Sequence, residues 1–178
     1  MRKNKNVILF LVKFFVTYFL LVTVYNGYLK KTQQKQPTFK TSPITALVAR
    51  QTVSLLDFFG YNAVAEQHEE ELTVKLILNN RFTARVIEGC NSISMIILFV
   101  AFIIAFTGSL KATVVFSVLG SVFIYIINII RIAILTVLIY KYPQQQEFLH
   151  SIVFPAIIYG AVFMLWVLWV EKFSNYKK

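Results

Sequence analysis

The hydrophobic pattern divides the chain into four long apolar runs separated by polar stretches. The runs occupy residues 7–29, 90–107, 112–140 and 150–170. A helix needs about 20 apolar residues to cross a hydrocarbon core of about 30 Å, and each run is close to or above that length. The pattern therefore predicts an all-α membrane protein with about four transmembrane helices.

The polar insert at residues 30–89 begins with a segment that is typical of an amphipathic helix. Ser42 and Pro43 are residue types favoured at a helix start, and Gly60 is favoured at a helix end. An apolar stripe predicts that this helix lies on the membrane surface or packs on the other helices. The stripe comprises Ile44, Leu47, Val48, Leu55 and Phe58.

The insert continues with two stretches in which apolar and polar residues alternate on either side of Asn79 and Asn80. Alternation is typical of half-buried strands, and a two-residue Asn turn is typical of a β-hairpin. We therefore expect a single domain over residues 1–178. Its extracytoplasmic insert is predicted to be a small helix plus a β-hairpin that leads directly to Cys90.

Composition and charge support a membrane setting. The chain is 57% hydrophobic with a mean hydropathy of +0.66, and its net charge is +10. The basic residues mostly flank the apolar runs, which suits lipid headgroups, and no nucleic-acid motif accompanies them, so no nucleic-acid partner is expected. With an even number of spans, both basic termini are predicted to be cytoplasmic, although the insert also carries basic residues, namely Lys30, Lys31, Lys35 and Lys40.

Cys90 is the single cysteine of the chain. One cysteine excludes an intrachain disulfide and a thiolate metal cluster, so Cys90 is either a small buried side chain or a reactive thiol. His68 has no second ligand at a suitable spacing. We therefore expect no metal ion or other cofactor.

Three chemically capable side chains are predicted to reach one level of the membrane. Cys90 begins the second run and His150 the fourth, while Arg131 lies nineteen residues beyond Ala112, about 28 Å along a helix. Arg131 interrupts an otherwise apolar helix, and such residues usually face the protein interior or water. Asn128 shares its helix face. The alternative is that Arg131 extends to lipid phosphates or makes only a structural contact.

Together these groups suit acyl transfer. A thiol near a fixed positive charge and a helix N-terminus ionises more readily, His150 can exchange protons near neutral pH, and Arg131 can stabilise an oxyanion. Glu88 either orients His150 or Arg131 or, as the simpler interpretation, ends a strand as a solvated carboxylate.

Three elements in order resemble the exosortase/archaeosortase family: Glu-Gly-Cys90-Asn-Ser entering an apolar helix, Asn128-Ile-Ile-Arg131-Ile in the next, and His150 opening the last. The resemblance covers roughly residues 60–170 and is closest to exosortase F. It implies a membrane cysteine protease or transpeptidase of the bacterial cytoplasmic (inner) membrane, with its active site on the extracytoplasmic side. Cys90 would be the nucleophile, Arg131 the essential cation and His150 the acid/base group.

By the same resemblance, the substrates are exported proteins whose C-terminal sorting signals carry a short motif, a transmembrane helix and a basic tail. Asn91 and Ser92 stand where many members have Ser-Gly, which leaves the local turn and the substrate motif open. Many members also have more spans, so a membrane partner or self-association is one way to enclose a substrate helix. A non-catalytic assembly subunit that binds a partner helix through Asn128 and Arg131 is the alternative, and a small transporter is a weaker one.

Overall fold

The computed structural model describes residues 2–35, 37–106 and 108–173 as helices joined by a small sheet and short turns. The first four α-helices are α1 (Arg2–Thr32), α2 (Pro43–Phe58), α3 (Ile93–Ala105) and α4 (Leu110–Lys141). The chain ends with the single turn α5 (Gln146–Phe148) and α6 (Phe154–Lys172). The sheet consists of β1 (Ala63–Gln67), β2 (Val74–Leu78) and β3 (Arg81–Val86).

Three helical segments are long and apolar enough to cross a membrane, namely Asn6–Thr32, Leu110–Lys141 and Pro143–Lys172. The predicted run at residues 90–107 forms α3, which has only 13 residues and rises about 20 Å. That rise is shorter than a hydrocarbon core of about 30 Å, so the predicted count of four spans is not confirmed. The predicted end of this run, at Thr107, lies outside the described residues.

Helix α4 is longer than the apolar layer because its C-terminal half also packs against the insert. Its 32 residues rise about 48 Å, well beyond the core thickness of about 30 Å. The half that ends at Lys141 contacts α2, β2 and β3. Ile132 of α4 is buried in one apolar cluster with Val48 of α2 and Leu76 of β2. The outer part of α4 therefore serves as the scaffold of the insert.

The predicted hairpin is confirmed as β2 and β3, which pair antiparallel across Asn79 and Asn80. Both turn residues have positive φ, 50° and 63°, as a type I′ hairpin turn requires. The sequence did not predict β1, which pairs with the other edge of β2 and completes an antiparallel sheet of order β1-β2-β3.

Helix α2 begins as predicted, since the Ser42 side chain accepts a hydrogen bond from the Thr45 backbone N–H at 3.3 Å. It packs against α4 and β1, one of the two predicted arrangements, but only part of the predicted apolar stripe faces this contact, since Val48 is fully buried. Leu47 and Phe58 are 49% and 82% exposed. The buried face is instead mostly small, and small side chains let neighbouring helices approach closely. That face comprises Thr45, Val48, Ala49, Thr52 and Leu56.

A second apolar cluster joins α3, α4 and α6. Its buried members include Phe99 of α3, Ile124 of α4 and Trp169 of α6. A Cβ atom at Gly120 of α4 would lie 2.3 Å from the Phe99 ring, so α3 and α4 approach closely because residue 120 has no side chain.

Candidate active site

Cys90 lies in a short 3₁₀ turn between the sheet and α3. Strand β3 ends at Val86, and the turn Glu88–Cys90 follows at once. The Cys90 backbone N–H donates to the Ile87 carbonyl at 2.9 Å, and its thiol is free and half-buried. The sequence placed Cys90 at the start of a helix. The helix instead begins at Ile93, because Ser92 has a left-handed φ of 65° that interrupts the helical backbone.

Helix α4 holds this turn through Asn128. The buried Asn128 side chain donates from Nδ2 to the Cys90 carbonyl at 2.7 Å and accepts from Arg131 Nη1 at 3.1 Å on Oδ1. Asn128 and Arg131 therefore share one face of α4, as the sequence predicted, and Asn128 connects the guanidinium to the backbone of the cysteine. The Nε atom of Arg131 is buried and has no hydrogen-bond partner among the described residues.

One cavity of about 240 Å³ is lined by Cys90, Arg131 and His150. It lies between β3 and α4, and the structure thus brings together the three side chains that the sequence selected. None of the described residues that line it is a carboxylate, so no lining group neutralises the positive charge of Arg131. A cavity lined by one thiol, one imidazole and two guanidinium groups, those of Arg131 and Arg85, has the groups that acyl transfer requires.

His150 reaches this cavity from a π-helical turn, Leu149–Val153, directly before α6. Pro155 lies two residues after Val153 and has no backbone N–H to donate to the preceding turn. This favours a wide turn there. The His150 side chain is exposed, so the imidazole can exchange protons with solvent.

Glu88 has neither of the two roles that were proposed for it from the sequence. Its carboxylate contacts neither Arg131 nor His150 and is half-buried rather than solvated. It accepts hydrogen bonds from several elements at once, including 2.8 Å bonds from the Thr45 hydroxyl and from Asn91 Nδ2. The donors among the residues that the structure describes include Tyr25, Gln33, Thr41, Ser42, Thr45 and Asn91.

These donors keep the carboxylate charged. Burial raises the pKa of Glu88, but the hydrogen bonds from Ser42, Thr45 and Gln33 outweigh it and hold the pKa below its ordinary value of 4.5. Within the described ranges, no Lys or Arg side chain pairs with Glu88. The negative charge is therefore stabilised by hydrogen bonds alone and does not offset the positive charge of Arg131.

Sequence reasoning missed the residues that surround Glu88. Tyr25 comes from the first span, and its hydroxyl donates to Glu88 Oε2 at 3.1 Å across 63 positions of sequence. Asn91 was noted only as a departure from the family pattern, yet it is fully buried and donates to the same oxygen. The signal present in the sequence was the pair of polar residues, Glu88 and Asn91, beside Cys90 at the start of an apolar run. Polar side chains that become buried need hydrogen-bond partners.

His68 does not belong to a metal site in the part of the chain that the structure describes, where no three ligating side chains cluster. Its Nδ1 atom accepts the Glu70 backbone N–H at 3.2 Å.

A family model described as transmembrane exosortase matches residues 7–170. No curated protein and no solved structure matches the chain. Since the family model covers nearly the whole sequence, including Cys90, Asn128, Arg131 and His150, the chain belongs to the transmembrane exosortase family.

Proposed function

We propose that the protein is a membrane-embedded cysteine protease or transpeptidase that cleaves C-terminal sorting signals from exported proteins. Membership of the exosortase family suggests a membrane transpeptidase or protease role. The observation that supports the finer proposal is the single cavity lined by Cys90, Arg131 and His150.

In this mechanism the Cys90 thiolate attacks the carbonyl carbon of the scissile peptide bond. The carbonyl oxygen gains the negative charge, and the guanidinium of Arg131, which lines the cavity, is the donor that stabilises it. The C–N bond then breaks, His150 gives a proton to the departing amine, and the acyl group remains on sulfur as a thioester. Water or an acceptor amine next attacks the thioester and releases the thiol.

Asn128 acts as a positioning residue in this scheme. Its bonds to the Cys90 carbonyl and to Arg131 set the distance between the nucleophile and the cation. A substrate signal with its own apolar helix would present the bond next to that helix at the level of the cavity, on the side of the membrane where the insert lies. We assign that side to the outside of the bacterial cytoplasmic membrane, with both termini inside.

The test is co-expression with an exported protein that ends in an apolar helix of about 20 residues and a basic tail. The wild type should remove the tail, and Cys90→Ala should leave it in place while still inserting. Ser94→Ala is the matched control, because Ser94 is exposed on α3 only four residues away. Normal tail removal by the Cys90→Ala variant overturns the nucleophile role.

The alternative is a non-catalytic subunit that binds a partner helix through Asn128 and Arg131. The geometry argues against it for Asn128, whose amide already donates to Cys90 and accepts from Arg131. Iodoacetamide separates the two functions. Rapid alkylation of Cys90 at neutral pH supports the enzyme, and the reactivity of an ordinary thiol supports the subunit. The closer resemblance to exosortase F remains a prediction.

A further inference from the structure

The two edges of the sheet are finished differently. The Asn79 N–H donates to the Asn62 carbonyl at 2.8 Å, and the His68 N–H donates to the Thr73 carbonyl at 3.0 Å. In an antiparallel pair, every second residue of a strand bonds to the neighbouring strand. Between Asn79 and Thr73, the residues of β2 that do so are Ile77 and Lys75, so their backbone groups are also directed toward β1.

On the outer edge of β1, the first strand residue is capped by a side chain. The Ala63 N–H donates to Asp57 Oδ1 of α2 at 2.9 Å. The same helix packs along the strand. The start of this edge is therefore covered by α2, as natural proteins do to protect exposed strands.

The opposite edge, on β3, is open. Phe82 lies opposite Ile77, and Arg85 lies opposite Lys75. The backbone groups of Ile77 and Lys75 bond to β1 and not to β3. Phe82 and Arg85 must therefore direct their own N–H and C=O groups outward, on either side of the β-bulge that shifts the register between Leu76 and Ile77. Within the described ranges, no backbone hydrogen bond joins this edge to another segment.

Two adjoining cavities follow this open edge. The cavity that contains Cys90 is lined by β3 from Ala84 to Val86, and a second, of about 380 Å³, is lined by β3 from Arg81 to Arg85. Both are closed on the far side by Ile139 of α4 and by Gln146. Together they form a groove between β3 and α4 that runs from the hairpin turn to the thiol.

We propose that the substrate polypeptide binds in this groove as a fourth strand, hydrogen-bonded to the outer edge of β3, with its scissile bond at Cys90. The proposal rests on the proposed function. An extended chain is the occupant that fits, because it alone offers a row of N–H and C=O groups at the spacing of an open strand edge. The six residues of β3 span about 20 Å, which accommodates a segment of about six substrate residues.

The direction of the substrate strand follows from the direction of β3. Strand β3 starts at the hairpin turn, where Asn79 Nδ2 donates to the Tyr140 hydroxyl near the end of α4, and finishes next to α3. A substrate that ends in a membrane helix approaches the bilayer toward its own C-terminus. It therefore runs parallel to β3, with the residues upstream of the scissile bond along the strand.

The first experiment compares Arg85→Pro with Arg85→Ala in the full-length protein. Proline removes the outward N–H and is tolerated on an edge strand, whereas alanine keeps the N–H. Both variants lose the Arg85 guanidinium, which lines the two cavities and pairs with Glu71, so the difference between them isolates the N–H. Tail removal should be about two- to tenfold slower in the proline variant than in the alanine variant, as expected for one lost hydrogen bond. Equal rates in the two variants, with equal alkylation of Cys90, overturn the proposal.

The second experiment does not depend on catalysis or on a proline. In a Cys90→Ala background, Phe82→Cys is paired with single cysteines placed along the upstream segment of a tailed protein that the wild type processes. Phe82 lies four residues before Val86, where β3 ends beside the Cys90 turn, so disulfide formation should peak about four or five residues upstream of the scissile bond. Val64→Cys, on β1 at the other side of the sheet, is the control and should not react; Val64 is 43% exposed and Phe82 57%.

The outcomes separate the two proposals. If the wild type processes the tailed protein but Phe82→Cys and Val64→Cys react alike or not at all, strand addition is wrong and the proposed function stands. If the wild type processes no tailed protein of its organism, the proposed function fails and strand addition fails with it.

Discussion

At the scale of single residues, the position of Cys90 is set by two hydrogen-bond networks that meet at its turn. On one side, Glu88 and Asn91 tie the turn to α1 and α2. On the other side, Asn128 ties it to Arg131 on α4. The turn itself is only three residues long, so its geometry depends on these outside contacts rather than on its own backbone bonds.

Arg131→Lys tests whether the guanidinium supplies more than charge. Lysine keeps the positive charge but has neither the planar fork nor the Nε–H. We expect alkylation of Cys90 to change little and tail removal to fall about 100-fold, the usual cost of losing one oxyanion donor. Rates of alkylation and processing are measured on the same membranes, with Arg50→Lys on the exposed face of α2 as control. Unchanged processing would show that charge alone suffices.

Glu88→Gln tests the carboxylate network. The variant should unfold at a lower temperature than the wild type at pH 7, because a neutral amide replaces the charged acceptor and faces the Asn91 amide. Hydrogen bonds lower the pKa of Glu88 below 4.5, so its stabilisation is complete above that value and is lost as the pH falls through the folded-state pKa. The difference between variant and wild type should therefore narrow below pH 4.5.

Thermal unfolding in detergent at a series of pH values measures that difference. Glu69→Gln is the control, because Glu69 is exposed, and it should match the wild type throughout. A difference for Glu88→Gln that is independent of pH contradicts the assignment of a charged carboxylate.

The sequence predicted the three candidate site residues but not the residues that hold the cysteine turn in place. Cys90, Arg131 and His150 stand out because each is chemically unusual in an apolar run, and a common depth follows from helix rise alone. Tyr25 and Thr45 are ordinary in their own segments. Their contact with Glu88 spans 63 and 43 positions, and no local periodicity carries information over that separation.

At the scale of secondary-structure elements, the close contact of α3 with α4 compensates for the shortness of α3. A helix of 13 residues cannot reach across the apolar layer, so it relies on packing against longer neighbours. It makes extensive contacts with both α1 and α4. Phe99 of α3 occupies the space over Gly120 of α4 and is completely buried there.

Gly120→Ala should destabilise this contact. The added methyl group would lie 2.3 Å from the Phe99 ring, and overpacking of a buried contact costs about 1–3 kcal/mol. Gly27→Ala in α1 is the matched control, because no atom lies within 4 Å of the added Cβ. Thermal unfolding in detergent should show a lower midpoint for the first variant only. An equal midpoint in both would mean that α3 and α4 separate easily.

The sequence predicted the features that local motifs specify, but not the features that tertiary packing determines. Asn79 and Asn80 specify a hairpin turn, and Ser42 with Pro43 specifies a helix start. Strand β1 has no such signal and forms because the open edge of β2 is available to it. The buried face of α2 is selected by the helix and sheet that it meets, which its own periodicity does not encode.

At the scale of the whole molecule, the insert and the start of α4 are expected on opposite sides of the membrane. The loop around Glu69 belongs to the insert, and Lys111 lies in the first turn of α4. About 30 Å of apolar helix separates the first turn of α4 from Arg131. This arrangement assigns the cavity to one membrane face.

Single cysteines introduced into the Cys90→Ala background test that topology. Glu69→Cys should react with a membrane-impermeant maleimide on intact cells, and Lys111→Cys should react only after the cells are permeabilised, since both side chains are exposed in the fold. Reaction of both from outside would contradict α4 as a span. The reverse pattern would place the insert in the cytoplasm.

The hydrogen-bond partners of Glu88 have a consequence for how the protein matures during synthesis. Tyr25, Gln33 and Thr45 all precede Cys90 in the chain, whereas Asn128, Arg131 and His150 all follow it. A ribosome therefore delivers the groups that anchor the cysteine turn before those that line the cavity with it. Under the proposed function, the nascent chain carries a held thiol without its partner groups until α4 and the turn that bears His150 have been inserted.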